Sequence, residues 1–244
     1  MIDFHSHILP KLDDGSESVE QSLKMLSAYA DHNVDTIVAT PHYYRSKESI
    51  DHFLERRSKS YQELMLALEN SITEGLSYPE IVLGSEINYF KGISRDDRIE
   101  KLCIGKSRSL FIEMPFYKWD HQIMDEINTL MAINNYQCVI AHVERYLRFG
   151  NDINKLYELV GLGAVLQVNT EIKKKWNGMN LVSNFLKRNL PIVIGTDCHN
   201  MDDRHPNFYG LIEAIAKKFG VGKINQINSL SKILISDDIA SSII

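Results

Sequence analysis

Cysteine is scarce in this chain. Cys103, Cys138 and Cys198 are the only three, an odd number with no C-x-x-C spacing, so no disulfide framework is implied. Basic charge is not in excess either. Lys plus Arg number 27 against 32 Asp plus Glu, a formal net charge of −5, the reverse of the basic face that a nucleic-acid binder carries. No apolar run approaches the length of a membrane span, so direct membrane insertion is not expected. The N-terminus lacks the basic-then-apolar order of a secretory signal, and a cytoplasmic protein is expected. Linkers, repeats and low-complexity segments are missing too. What is present is 44% hydrophobic residues in 244, enough for one core, and a length that suits one α/β domain spanning 1–244.

Short apolar runs alternate with helical patterns from end to end. Met1 to Phe4 reads as a strand. Val19, Leu23, Leu26 and Ala30 then fall at helical spacing,. Further strands are expected at 36–39, 81–83, 110–112, 138–141, 164–168 and 191–194. Between them lie a helix carrying Tyr61, Leu64 and Leu68, a short charged helix near 96–102, and helices over about 121–134, 151–161 and 179–189. The C-terminal stretch reads as helical with a frayed tail. Continuous apolar runs are what strands show when both faces are buried in a parallel sheet.

The strand ends carry the chemistry. The first stops at His5-Ser6-His7, followed by Asp13-Asp14-Gly15; residues two apart in a strand share a side, so both imidazoles aim at one point. The second runs into Thr40-Pro41-His42 and the third into Gly84-Ser85-Glu86. The fourth ends at Glu113, the fifth at His142, the sixth at Asn169 and the seventh at Gly195-Thr196-Asp197-Cys198-His199. In an open sheet these ends would be strung out at roughly 4.8 Å per strand. In a closed barrel they ring one mouth, where barrel enzymes keep their sites. Seven strands instead of eight imply a distorted TIM-like barrel. The candidate ligand set is therefore His5, His7, Asp14, His42, Glu86, Glu113, His142, Asp197 and His199, an all-N/O set that suits Mn, Fe, Zn or Mg.

The runs DFHSHILPKLDDG, ATPH, GSEI, FIE, IAHVERY, QVN and GTDCHNMDDR, in this order, resemble the polymerase-and-histidinol-phosphatase (PHP) superfamily of metal-dependent phosphoesterases. Within it the chain is most similar to the bacterial manganese-dependent protein-tyrosine phosphatases of capsule and exopolysaccharide operons. That resemblance implies an α/β fold, a distorted (β/α)7 barrel holding three divalent ions, Mn2+ foremost. His5, His7, Glu86 and Asp197 would hold one ion; Glu86 as a bridge, Glu113 and His142 a second; Asp14, His42 and His199 the third. Arg145 and Arg204 match the family's phosphate-binding arginines, and a guanidinium fork suits phosphate oxygens. The bland alternative pairs each with a neighbouring carboxylate, Glu144 or Asp203. The implied substrate is phosphotyrosine in the tail of a membrane-associated bacterial tyrosine autokinase, and residues 43–60, with Tyr43, Tyr44, Arg45, Lys47, Arg56 and Arg57, form an aromatic and cationic mix suited to it. The oligomeric state is not legible in the sequence.

Three rivals remain. Cys198 to Arg204 has the C-x5-R spacing of a thiol phosphatase, yet that loop lacks glycine and carries Asp202 and Asp203, a poor phosphate cradle. Histidinol phosphate or another small phosphomonoester would use the same metals. A metal-loaded docking module would need no arginines. Asp3 and Asp13 are expected to orient ligand histidines, while His32 and His52 are expected at the surface, and Trp119 and Trp176 in packing.

Overall fold

The computed structural model describes residues 1–32, 34–72, 78–174 and 177–236; Trp176 and the C-terminal tail lie outside them. Nine strand segments are present in this range: β1 (Ile2–Ser6), β2 (Thr36–Ala39), β3 (His42–Tyr43), β4 (Glu80–Leu83), β5 (Glu86–Asn88), β6 (Ser109–Glu113), β7 (Gln137–Ile140), β8 (Val165–Asn169) and β9 (Ile192–Gly195). They alternate with helices α1 (Val19–Ala30), α2 (Ile50–Ile72), α3 (His121–Ala132), α4 (Ile153–Gly161), α5 (Gly178–Lys187), α6 (Tyr209–Phe219) and α7 (Val221–Ile235). Every strand pair is parallel, the α/β class the alternation calls for.

Pairing runs in two sheets, ordered β1-β2-β4 and β3-β5-β6-β7-β8-β9. The second and third expected strands are found as β2 and β4, and each is followed after two residues by a further short strand. Thr40-Pro41 separates β2 from β3, and Gly84-Ser85 separates β4 from β5, so each chain segment leaves one sheet and enters the other. Proline cannot donate to a ladder, which accounts for the first break. On the opposite side, β1 meets the segment after β9: His7 N donates to Cys198 O (2.9 Å) and Asp197 N to His5 O (2.8 Å). The ladders thus stop short of a continuous wall, but the strand order is that of a seven-stranded ring.

Two buried apolar clusters match this order. Ile2, Phe4, Val38, Phe111, Val139, Val165 and Val193 from the strands gather with Ile104, with Ala141 and with Leu234 of α7. The larger cluster fills the space between strands and helices, with Met25, Leu26 and Tyr29 of α1, Ile127 and Leu130 of α3 and Val182 and Phe185 of α5. Side-chain caps set helix starts: Ser18 accepts from Gln21 N, Asp120 from Ile123 N and Asp152 from Asn154 N, each worth about 1 kcal/mol.

Three local expectations are corrected. Helix α2 starts at Ile50, about three turns ahead of Tyr61, so Arg56 and Arg57 are helical. The charged stretch near 96–102 forms two short 3-10 turns, Ile93–Arg95 and Ile99–Leu102. His32, expected within a helix, lies in the turn after α1. His52 is exposed and Trp119 buried, as expected.

Candidate metal centre

The candidate ligands lie in or just beyond the parallel strands: His5 lies in β1, His42 and Glu86 open β3 and β5, Glu113 closes β6, and His142 and Asp197 lie two residues past β7 and β9. The first register irregularity in the pairing falls between Asp3 and Ser6 of β1. It lets consecutive residues reach one partner: Phe4 and His5 both pack on Phe111, at centroid distances of 6.1 and 4.8 Å. His5 Nε2 then lies 3.1 Å from His7 Nε2, the convergence that the H-x-H spacing calls for. Close backbone approach is needed here. A Cβ on Gly195 would sit 2.4 Å from His5 Cβ, and one on Gly15 2.3 Å from His7 O.

The nine candidate residues converge. Glu86 Oε2 lies 3.2 Å from His5 Nε2, 3.3 Å from His7 Nε2 and 3.1 Å from His42 Nδ1. Its other oxygen, Oε1, is 2.8 Å from His142 Nε2, which is 3.4 Å from Glu113 Oε1. Asp197 Oδ1 stands 3.4 and 3.6 Å from the Nε2 atoms of His5 and His7. Asp14 Oδ1 is 3.5 Å from both His42 Nε2 and His199 Nε2. Three groups have ligand atoms clustered tightly enough for an ion: His7 with Asp14, His42 and His199; His5 with His7 and Glu86; and His42 with Glu86 and Glu113. These groups overlap the three sets implied by the resemblance; His42 joins the Glu86–Glu113 pair, and His142 stands beside the same two carboxylates.

The donor chemistry fits divalent cations. Ligands about 2.0–2.2 Å from one ion stand roughly 3.0–3.5 Å apart, the spacing found here. Three buried nitrogens of the candidate ligand imidazoles, His42 Nδ1, His142 Nδ1 and His199 Nε2, have no hydrogen-bond partner, although buried polar atoms are normally satisfied. Electrostatics says the same. Burial alone would neutralise His7, but Asp13 and Glu86 outweigh it and hold its imidazolium up to about 10. Burial likewise opposes a charged His142, yet Glu113 and Glu86 push it up to about 9. Glu86 and Asp197 resist their burial penalty and titrate far below ordinary carboxylates because His5 and its neighbours face them. A site that draws protons onto imidazoles in this way is a site built for positive charge.

Supporting residues fix the ligands. His7 Nδ1 meets Asp13 Oδ2 at 2.7 Å, leaving Nε2 for the cluster, as expected of Asp13,. Asp3 does not orient a ring. Its carboxylate instead accepts from His5 N, Thr196 N, Thr196 Oγ1 and Tyr29 Oη, pinning the turn after β9 to β1. Gln167 was not singled out by sequence, yet its Oε1 lies 3.2 Å from His5 Nδ1 and accepts from His142 N at 2.6 Å. A polar residue in the middle of the apolar run AVLQVN was the available signal. Asn169 accepts from Gln167 Nε2 and donates to Asp197 Oδ2. Asp197 (φ 56°) and His142 (φ 29°) both take left-handed backbone, a strain of about 1–3 kcal/mol that clusters at functional sites.

Both arginines reach the cluster. Arg145 and Arg204 grip the same carboxylate: Arg145 Nη2 bonds Asp197 Oδ2, and Arg204 Nη2 donates to Asp197 Oδ1 at 2.7 Å. The carboxylate that both grip is therefore a candidate ligand, and Arg204 also faces Asp14 at 4.0 Å. The cysteine route finds no support. Cys198 is buried under the site with Sγ 2.9 Å from Tyr29 Oη, and burial beside Asp3 pushes its thiol up to about 12. Much of the 43–60 segment is internally engaged. Arg57 donates to Gly84 O and Ser85 Oγ, Arg56 to Glu48 and Leu12 O, and Arg45 faces Asp96 at 3.6 Å.

The chain matches the family model "Capsular polysaccharide synthesis, CpsB/CapC" over residues 1–233. It is 29% identical to the tyrosine-protein phosphatase CpsB of Streptococcus pneumoniae over 236 residues, covering 93% of this chain and 94% of that one. The CapC protein of Staphylococcus aureus is 30% identical over 211 residues, 84% of this chain and 79% of CapC. Among solved structures, one from a study of YwqE from Bacillus subtilis and CpsB from S. pneumoniae, described as metal-dependent tyrosine phosphatases, superposes with a TM-score of 0.81 at 24% identity, over 96% of this chain and 94% of the other. That likeness establishes the shared fold.

Proposed function

The chain belongs to the CpsB/CapC family of capsular polysaccharide synthesis, and we propose that it works there as a metal-dependent tyrosine-protein phosphatase whose nine converging His, Asp and Glu residues hold the ions. The observation that carries the reading is Glu86, whose two oxygens face His5, His7 and His42 on one side and His142 on the other. One carboxylate placed in this way can bridge two ions. We assign three divalent ions, Mn2+ first, to the sets His5, His7, Glu86 and Asp197; Glu86, Glu113 and His142; and Asp14, His42 and His199. His42 also lies against Glu86, so it stands at the boundary between two of these sets. Such ions supply a nucleophile from water near neutral pH and neutralise phosphoryl oxygens.

The chain's own groups do the rest. Asp13 and Gln167 hold the rings of His7 and His5 with one nitrogen turned to the cluster. Arg145 and Arg204 are aligned by Asp197 and keep further N–H donors for the phosphoryl group, where developing charge is stabilised. Burial of the His5, His7 and Glu86 side chains keeps bulk water from the floor of the site. Candidate ligands run from His5 to His199, which supports treating the whole chain as one catalytic domain. The proposed substrate is a phosphotyrosyl tail of a membrane-associated tyrosine autokinase of capsule synthesis; support comes from family membership, since Arg56 and Arg57 serve internal contacts. No helix among the described residues is long and apolar enough to cross a membrane.

The test is turnover by metal-stripped and reloaded protein on a phosphotyrosine peptide, a phosphoserine peptide and histidinol phosphate at equal concentration. Metal-dependent preference for phosphotyrosine is expected. Preference for histidinol phosphate, or turnover that survives chelation, would overturn the proposal.

A further inference from the structure

Eight large apolar side chains are exposed among the described residues: Leu66, Phe116, Tyr117, Ile133, Phe149, Met201, Tyr209 and Val221. Leu66, Ile133 and Val221 are scattered singly over helices and helix ends, which is ordinary surface. The other five lie on segments that follow β6, β7 and β9, the strands that deliver Glu113, His142 and Asp197. Of these, Phe116 touches the metal centre itself. Its ring stacks on His142 at 5.8 Å with an interplanar angle of 18°. Phe149 packs against Phe116 at 5.3 Å, and the buried Tyr146 backs Phe116 at 5.4 Å. Tyr209, by contrast, stacks on His32.

Phe116 and Phe149 are 38% and 44% exposed although a rigid aromatic wall stands behind them. Exposed apolar surface gathered at the rim of a site marks a binding surface. We propose that the Phe116–Phe149 pair is an aryl subsite, which receives the phenyl ring of a phosphotyrosyl side chain while the phosphate lies against the His142–Glu113–Glu86 edge of the metal centre. This rests on the phosphatase reading above and adds how the ring is chosen. An aryl phosphate carries its ring directly on the ester oxygen, so the ring must lie immediately beside the reacting phosphorus. A seryl phosphate places only a methylene there and leaves the two phenylalanines wet. Offset or edge contacts between the three rings suit the geometry aromatic pairs prefer. Tyr44 lies 5.3 Å from His42, whose Nδ1 faces the other Glu86 oxygen.

Esters differ in leaving group as well as in shape, so the test uses unreactive phosphonates. Competitive inhibition of the metal-loaded enzyme by benzylphosphonate and methylphosphonate is compared in wild type, Phe149→Ala, Phe149→Tyr and Phe116→Leu. Phe149 is the cleaner probe because its ring packs on Phe116, whereas Phe116 itself stacks on His142. Wild type should favour the benzyl compound by about tenfold or more. Phe149→Ala and Phe116→Leu should each cut that ratio several-fold, and Phe149→Tyr should restore it. Equal ratios across all four proteins would overturn the subsite, as would a parallel loss for both phosphonates, which would show the rings only brace His142. A wild-type enzyme that turns over phosphotyrosine peptide yet shows no benzyl preference refutes the subsite alone. One that fails on phosphotyrosine refutes the phosphatase reading beneath it.

Discussion

Asp13 provides the sharpest test of how the site is held, because it stands outside the ligand set. Its Oδ2 lies 2.7 Å from His7 Nδ1 and accepts from His42 N at 2.9 Å, while Oδ1 accepts from Gly15 N at 3.0 Å. Asp13→Asn keeps this shape but not this chemistry. An amide that turns its oxygen to His7 and His42 must present its NH2 to the Gly15 N–H, donor against donor. It also exchanges a charge-assisted bond to His7 for a neutral one, roughly half as strong. Losing such an outer partner of a ligand histidine lowers metal affinity about 10- to 100-fold, or about 1.4–2.7 kcal/mol. Titration of metal-stripped protein with Mn2+, followed by binding heat and by activity against free metal, measures it. Saturating metal should restore most of kcat, because Asp13 acts on His7 and not on substrate. Wild-type affinity in Asp13→Asn would refute the argument, and so would a kcat that no metal concentration recovers.

Two further outcomes follow from the same groups. Cys198→Ser should retain activity within a few-fold while His42→Ala and Glu113→Ala abolish it; loss in the cysteine variant at unchanged metal content by elemental analysis would restore the thiol route. Loading the metal-free protein should release about two protons near pH 7.5, because His7 and His142, held up to about 10 and about 9, must become neutral to act as ligands,. Apparent metal affinity therefore rises from pH 7 to about 9 and levels off above about 10. The same raised values stabilise the metal-free fold fully below the ordinary histidine range, and that contribution disappears as pH rises through 9 to 10. Calorimetry in buffers of different ionisation enthalpy reads the protons, and heats that do not depend on the buffer would contradict the charge argument.

The strand ends were legible because a parallel strand buried on both faces is a bare apolar run, and a His or carboxylate at its end stands out. His5, His42, Glu86, Glu113, His142 and Asp197 were found in this way, and all reach one cluster. The short strands beyond two of those ends were not legible. Thr40-Pro41 and Gly84-Ser85 read as strand termini, whereas the chain crosses there from one sheet to the other. Helix α2 was placed late because its first turns, Ile50 to Lys59, are polar on most faces, and only tertiary contacts such as Arg57 to Gly84 O show what they cover. Gln167 was missed for the opposite reason: one polar residue inside an apolar run looks like noise until its neighbours across two strands are known. The bland alternative for the arginines, a neighbouring Glu144 or Asp203, does not include the carboxylate that both of them grip. Sequence offers only adjacent carboxylates, and Asp197 is 52 residues from Arg145.

That shared carboxylate bears on what the arginines do. Asp197 accepts from Arg145 and Asn169 on Oδ2 and from Arg204 on Oδ1, with His5 and His7 close by. A carboxylate offers about four lone-pair sites and each guanidinium five donors, so Asp197 can orient both forks and still leave most of their N–H groups for phosphoryl oxygens. Two readings then diverge. If the arginines serve mainly to neutralise Asp197, Arg145→Ala and Arg204→Ala should disturb the cluster and shed metal together with activity. If they face the phosphoryl group, turnover should fall about 100- to 1,000-fold at full metal content, as on loss of a preorganised donor. Lysine at either position should recover only part of this, since an ammonium is a point charge without the fork. The second pattern is expected, because Asn169 still donates to Asp197 Oδ2 in either variant and the forks remain half-buried at the mouth, with side chains 32% exposed. Metal analysis and kcat measured on the same preparations separate the two, and alanine variants that turn over like wild type would remove both arginines from the mechanism.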